Sequence, residues 1–190
     1  VSAESETIPD NNIGIINNGG IVTVFELPFE GVFLDLNDEE GVLGEVVCID
    51  MTVSDFNEII SMQFTLNWDP EVIDFAYAQN LNLVGLSAGS FNDGIDGHLL
   101  CSWNNNNTGI TVPDGTVIGQ LCFYIIGTPG SETDIEITSD YVPVHVTSTS
   151  SNGDNIKVKG ENGHIEIRNL SESFPDKIGV RTELIIPLWD

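Results

Sequence analysis

The sequence predicts an all-β protein, an antiparallel sandwich with additional strands at both ends of the chain. Three observations carry this. Segments rich in Val, Ile, Phe and Thr recur at short spacing, Gly, Asn, Asp, Ser and Pro clusters separate them, and helical apolar periodicity is weak throughout. At 190 residues with 41% apolar content, the chain buries an ordinary core without staples.

The elements follow in order. "IVTVFEL" at 21–27 is the one strand expected in residues 1–30, an N-terminal extension. "GVFLDL" at 31–36 and "EVVCIDMTV" at 45–53 come next, separated by the acidic turn "NDEEG". In the second, Val47, Ile49, Met51 and Val53 claim one face and leave Cys48 on the other. "IISMQFTLNW" at 59–68 places Phe64 and Leu66 inward, then breaks at Asn67-Trp68-Asp69-Pro70 before "EVIDFAYA" at 71–78, whose inward residue is Phe75. Pro70 biases Asp69 away from the α region, and the Asp69 carboxylate reaches backbone amides two residues on, so the break is a sharp corner. A single helical turn capped by Asp69 is the competing description, and a corner into a strand with Ile73, Phe75 and Tyr77 on one face is preferred.

Beyond the loop "FNDGIDG", "HLLCSW" at 98–103 sets Cys101 in register with Leu99 and Trp103, hence inward. "TVIGQLCFYII" at 116–126 turns Leu121, Phe123 and Ile125 inward and Cys122 outward. "DIEIT", "YVPVHVT", "NIKV" and "HIEIR" complete the run to Arg168. Three cysteines cannot all pair within one chain, and Cys48, Cys101 and Cys122 lack metal-ligand spacing, so free thiols are expected in preference to a disulfide.

Four of these pieces, in this order, are similar to cohesin domains: "GEVVCIDMTVSD" after a Gly turn, "SMQFTLNWDPEVIDF" with its Tyr-Asp-Pro-like corner, "GHLLCSWNNNNTG" and the central "DGTVIGQLCFYIIG". The resemblance covers about residues 31–168 and implies a jelly-roll sandwich. It also implies an extracellular or cell-surface module that binds a protein partner, as cohesins recognise dockerins through an exposed sheet face. Trp68 stands where the family usually has Tyr, and residues 1–30 and 169–190 fall outside the match. The latter segment is a C-terminal arm or linker strand.

Charge excludes some partners. The net charge is −25, and nucleic acid and anionic membrane surfaces are both disfavoured, since each is bound through clustered Lys and Arg. No apolar run reaches the length of a membrane span, so insertion is not expected. The charge is also divided along the chain. No Lys or Arg precedes Lys157, whereas 24 of the 30 carboxylates do.

Catalysis finds no support, and no enzyme activity is expected. His98, His145 and His164 lack a nucleophile in a suitable context, and no G-x-S-x-G, H-E-x-x-H or phosphate-cradling loop occurs. Carboxylate pairs are unavoidable among so many acids. No cofactor is required, but the oxygen-rich turns holding Asp38 and the pair Asp93 and Asp96 are candidates for a structural Ca²⁺, a hard cation that takes six to eight oxygens.

Two functions remain. In the first, the domain assembles with another protein or with copies of itself. "GVRTELIIPLWD" alternates Val180, Thr182, Leu184 and Ile186 on one face, and together with Lys177 and Arg181 it would be drawn to a neighbour's acidic body, giving a head-to-tail surface filament. The bland alternative is a linker or the first strand of a following domain. In the second, the domain binds carbohydrate or adheres, with Trp68, Trp103 or Trp189 as the stacking platform for a glycan.

Overall fold

A computed structural model describes residues 4–8, 13–18, 21–26 and 29–169. Three strands precede the main domain: β1 (Glu4–Ile8), β2 (Ile13–Asn18) and β3 (Ile21–Glu26), which form their own antiparallel sheet in the order β1-β2-β3. One strand was expected there. The signal for a second lay in Gly19-Gly20, a two-residue connection between Asn18 and its partner Ile21 of the kind that favours hairpins.

The sandwich begins at β4 (Val32–Leu36) and continues through β5 (Glu39–Gly41), β6 (Val46–Ser54), β7 (Ile59–Asn67), β8 (Ile73–Gln79), β9 (Phe91–Ile95), β10 (His98–Asn104), β11 (Thr116–Ile125), β12 (Glu132–Thr138), β13 (His145–Ser148), β14 (Val158–Lys159) and β15 (Gly163–Ile167). One sheet runs β5-β15-β12-β7-β10-β9, with β13 also on β7; the other runs β14-β4-β6-β11-β8. Their inner faces meet in one core, as two apolar strand faces must when neither can face water.

Alternation explains which residues fill it. Ile49, Met51, Phe64, Leu66, Leu121, Phe123 and Ile125 are all buried, while Val47 and Phe75 are partly buried against them. The corner after β7 takes the form that Asp69 and Pro70 impose. The Glu71 amide donates to Asp69 Oδ1 at 2.9 Å, the Val72 amide donates to the Asp69 carbonyl at 3.0 Å, and the chain enters β8 at Ile73. The Trp68 amide donates to the carbonyl of Gly97, a left-handed residue (φ 72°) whose missing Cβ would lie 3.0 Å from the Trp68 carbonyl oxygen.

Two expectations are corrected. Cys48 and Cys122 are not free thiols but a disulfide. Alternation turns both away from the core, and the antiparallel register of β6 and β11 sets them directly opposite each other. Tyr77 does not share the face of Phe75. Tyr77 pairs with Cys122 and Phe75 with Phe123, so Ala76 is the extra residue of a bulge, and the parity of β8 flips there to leave Tyr77 45% exposed on the outer face. Cys101 is the buried free cysteine among the described residues, its thiol pushed up to about 12 by desolvation.

Candidate protein interface

Strand direction sets the polarity of the domain. The first strands pair in parallel with the last: β4 with β14, Val32 opposite Val158, and β5 with β15, Ile165 opposite Glu39. Strands that run the same way begin at the same end and finish at the same end. The described chain therefore enters the sandwich at one end, through Phe29–Gly31, and leaves it at the other, through Arg168.

The hydrogen bonds identify each end. At the entry end lie the start of β4, the β6–β7 connection at residues 55–58 and the loop after β13; the Val32 amide donates to the Lys157 carbonyl at 2.9 Å and the Thr149 amide to the Glu58 carbonyl at 2.9 Å. At the exit end the Arg168 amide donates to the Gly41 carbonyl at 2.8 Å and the Gly130 amide to the Ile167 carbonyl at 2.7 Å. The Trp68–Val72 corner lies there too, with the Gly127 amide donating to the Val72 carbonyl at 2.8 Å.

A groove of about 360 Å³ opens at the entry end between the two sheets. Val32 and Ile59, each 1% exposed, lie beneath it with the partly buried Phe29 and Ile156, while Glu30, Asp55 and Ser150 stand exposed around it, so the surface it opens to solvent is mostly polar. No Lys or Arg lines it. The exposed Lys157 follows the lining residue Ile156 and stands beside the groove, Lys159 ends β14, and Arg168, whose Nε donates to Glu40 Oε2 at 2.7 Å, lies just after β15.

The two outer faces differ in chemistry. Beyond β6, β11 and β8 stand Val46, Tyr124 and Tyr77, each more than a third exposed, around the Cys48–Cys122 disulfide. The outer face of the other sheet is polar and holds all three histidines. His98 meets Tyr141 edge to face at 4.7 Å, and His145 lies opposite Gln63. His164 Nδ1 is 2.7 Å from Asp134 Oδ1, with Glu132 Oε2 3.7 Å from Nε2. That hydrogen bond to Asp134, opposed by desolvation and reinforced by the charges of Asp134, Glu132 and Asp38, raises the His164 pKa above its ordinary value.

The predicted site residues fall in different places. Trp68 is 8% exposed, its Nε1 donates to the Ile73 carbonyl at 2.9 Å and its ring packs edge to face on Phe123 at 5.2 Å. Trp103 is 2% exposed and donates to the Val84 carbonyl at 2.9 Å. Neither ring offers a face to a sugar, which corrects the expectation of a glycan platform at these two residues: large apolar rings complete the core, and their single N–H groups are satisfied by backbone carbonyls. Trp189 lies outside the described residues, as do Lys177, Arg181, Leu184 and Ile186 of the arm.

Asp93 in β9 and Asp96 just after it are exposed, and the Gly94 amide folds back onto Asn92 Oδ1. Asp38 is exposed next to Glu39, Glu40 and Arg168, so a guanidinium already stands among those carboxylates. Among the described residues no three His, Cys, Asp or Glu side chains converge as a metal-binding group. Sequence reading missed the entry-end groove, because it is made by residues far apart in the chain.

The fold is that of cohesins. The sixth cohesin of scaffoldin B from Acetivibrio cellulolyticus, solved in complex with a Cel5 dockerin, superposes with a TM-score of 0.58 at 22% identity, over 73% of this chain and 99% of that one. A cohesin from Clostridium acetobutylicum aligns with a TM-score of 0.60 at 19% identity, over 74% and 92%. A non-cellulosomal cohesin from the archaeon Archaeoglobus fulgidus aligns at 0.58 with 14% identity, over 75% and 94%. No family model matches the chain, and no curated protein matches its sequence.

Proposed function

We propose that this cohesin-like domain is a non-enzymatic, extracellular protein-assembly module whose copies join head to tail into a surface filament through strands flanking the sandwich. The observation that carries it is the polarity of the domain, with entry at one end and exit at the other. A copy joined through its exit arm to the entry end of the next makes a heterologous contact, and such contacts repeat without closing. Any attraction of the arm to the acidic body is local to Lys177 and Arg181, since residues 169–190 also carry Glu172, Asp176, Glu183 and Asp190, while the 156 residues before Lys157 hold 24 carboxylates and no fixed cation. The cohesin fold adds weight, since the Acetivibrio cellulolyticus relative is solved bound to a protein, its dockerin.

The competing carbohydrate-binding reading loses two of its three rings to the core, as Trp68 and Trp103 are buried. Truncation after Leu170, compared with the full chain by light scattering and electron microscopy at low and high salt, tests the proposal. Assembly of the full chain at low salt, lost on truncation and weakened by salt, is the expected result. A full chain that stays monomeric at high concentration and low salt overturns it.

A further inference from the structure

Asn-Gly pairs are chemically weak points of a chain, because a glycine amide has no side chain to keep it from the carbonyl carbon of the asparagine before it. The sequence holds three, at Asn18-Gly19, Asn152-Gly153 and Asn162-Gly163; Gly19 lies outside the described residues, and the other two can be compared directly. We infer that Asn152 is a modification site at which the folded protein deamidates to aspartate and isoaspartate, while the fold protects Asn162.

The two pairs share a sequence and differ in their surroundings. Asn152 and Gly153 are both exposed in the β13–β14 connection, with φ of 52° and 89°. The Asp154 amide donates to the Ser151 carbonyl at 2.8 Å and closes a turn around them. Neither the Asn152 side chain nor the Gly153 amide is hydrogen-bonded to a described residue, and a Cβ at Gly153 would meet nothing within 4 Å. At the other pair, Asn162 Oδ1 accepts from the Ile137 amide at 3.3 Å, and Gly163 is buried in β15 opposite Ile135. A Cβ on Gly163 would lie 2.9 Å from the Asn37 carbonyl oxygen and 3.1 Å from Leu36 Cβ, so the backbone there has no room to swing onto the neighbouring side chain.

The reaction needs water and no oxidant or reductant. The Gly153 nitrogen loses its proton and bonds to Asn152 Cγ, and the side-chain nitrogen leaves as ammonia, which closes a succinimide. Water then opens the ring. Cleavage of the new bond to Cγ gives aspartate; cleavage of the bond to the backbone carbonyl carbon gives isoaspartate, whose chain runs through the side chain and is longer by a methylene. Attack requires the turn to open, and the ties beneath it let that happen locally. The Ser151 amide donates to the Ser148 carbonyl at 3.3 Å on one side, and on the other the Val146 amide donates to Asn155 Oδ1 at 2.8 Å and the Ile156 amide to the Val146 carbonyl at 2.7 Å. Each product adds a carboxylate to the connection whose Ser148 and Ser150 line the entry-end groove, so the modification makes that end of the domain more negative.

Incubation of the folded full chain at mildly alkaline pH, followed by peptide mapping with mass spectrometry and labelling by an isoaspartyl methyltransferase, reads the reaction site by site. In the folded chain Asn152 should convert to both products more than about tenfold faster than Asn162, because attack at Asn162 must wait for β15 to open. In urea the two should convert at similar rates. An Asn152 that stays intact in the folded chain while it converts in urea overturns the inference. Conversion of Asn162 as fast as Asn152 in the folded chain overturns the protection ascribed to β15.

Discussion

Reduction of the Cys48–Cys122 disulfide is the perturbation that most directly probes how the two central strands of one sheet are held. The bridge joins β6 to β11 across a sequence separation of 74 residues. In the chain-entropy account, a cross-link closing a loop of that length removes about 4 kcal/mol of conformational freedom from the unfolded chain. For a domain of this size each kcal/mol moves the melting temperature by a few degrees, so reduction should lower it by on the order of 10 °C. The assay is thermal and urea unfolding of oxidised protein, reduced protein and the double variant Cys48→Ala/Cys122→Ala. The reduced and double-variant proteins should coincide and both fall below the oxidised one. Thiol titration of denatured, unreduced protein should find Cys101 alone. Three reactive thiols, or identical melting before and after reduction, would refute the reasoning.

Phe123→Ala, which empties a fully buried ring packed on Trp68 at 5.2 Å and Phe75 at 5.8 Å, should cost about 3–5 kcal/mol in urea unfolding, while Tyr124→Ala on the outer face should cost far less. His164 links β15 to β12 through Asp134, and because its folded pKa is raised, the stability it adds is fully present below its ordinary value and is lost as pH rises through the raised one. Melting measured across neutral pH should therefore show a small decline that His164→Gln abolishes, with the raised pKa itself read by NMR titration of the imidazole. With a net charge of −25, added NaCl should raise the melting temperature by screening self-repulsion, and CaCl₂ at matched ionic strength should add nothing further; a distinct Ca²⁺ step would assign a site to Asp38 or to Asp93 and Asp96.

Much of the core was legible because alternation is a local property. Ile49 and Met51 on β6, Phe64 and Leu66 on β7 and Leu121 and Phe123 on β11 each follow from the residue two places away, and all six are buried. The corner was legible for the same reason, since Asp69 and Pro70 act on their own neighbours. What escaped was register and parity. The outward direction of Cys48 and Cys122 could be read from each strand alone, but that they face each other depends on how β6 slides against β11. One bulge residue, Ala76, reversed the side on which Tyr77 emerges, and a bulge leaves no clear mark in the alternation before it. β5 and β14, three and two residues long, are too short for a periodic signal and exist as strands through their partners.

Those two short strands carry more of the functional argument than their size suggests. Had the last strands run antiparallel to the first, entry and exit would share one end, and an arm leaving there would meet its own entry strand or exchange with a single partner in a closed pair. Parallel pairing of β14 with β4 and of β15 with β5 separates the two by the length of the sandwich. The separation holds because the close approach of the final segment to β4 is built in: a Cβ at Gly160 would sit 1.7 Å from the Leu34 carbonyl oxygen, so only glycine fits there. Gly160→Ala should therefore push 157–161 away from β4, disturbing the Val32–Lys157 and Leu36–Glu161 backbone hydrogen bonds at 2.9 and 3.0 Å that tie the final segment to the entry strand. Hydrogen exchange is the measurement that checks it. Faster exchange at Val32 and Leu36 with protection retained at Phe123 is expected. Unchanged exchange at Val32 and Leu36 would show that the parallel pairing does not depend on the close approach at Gly160.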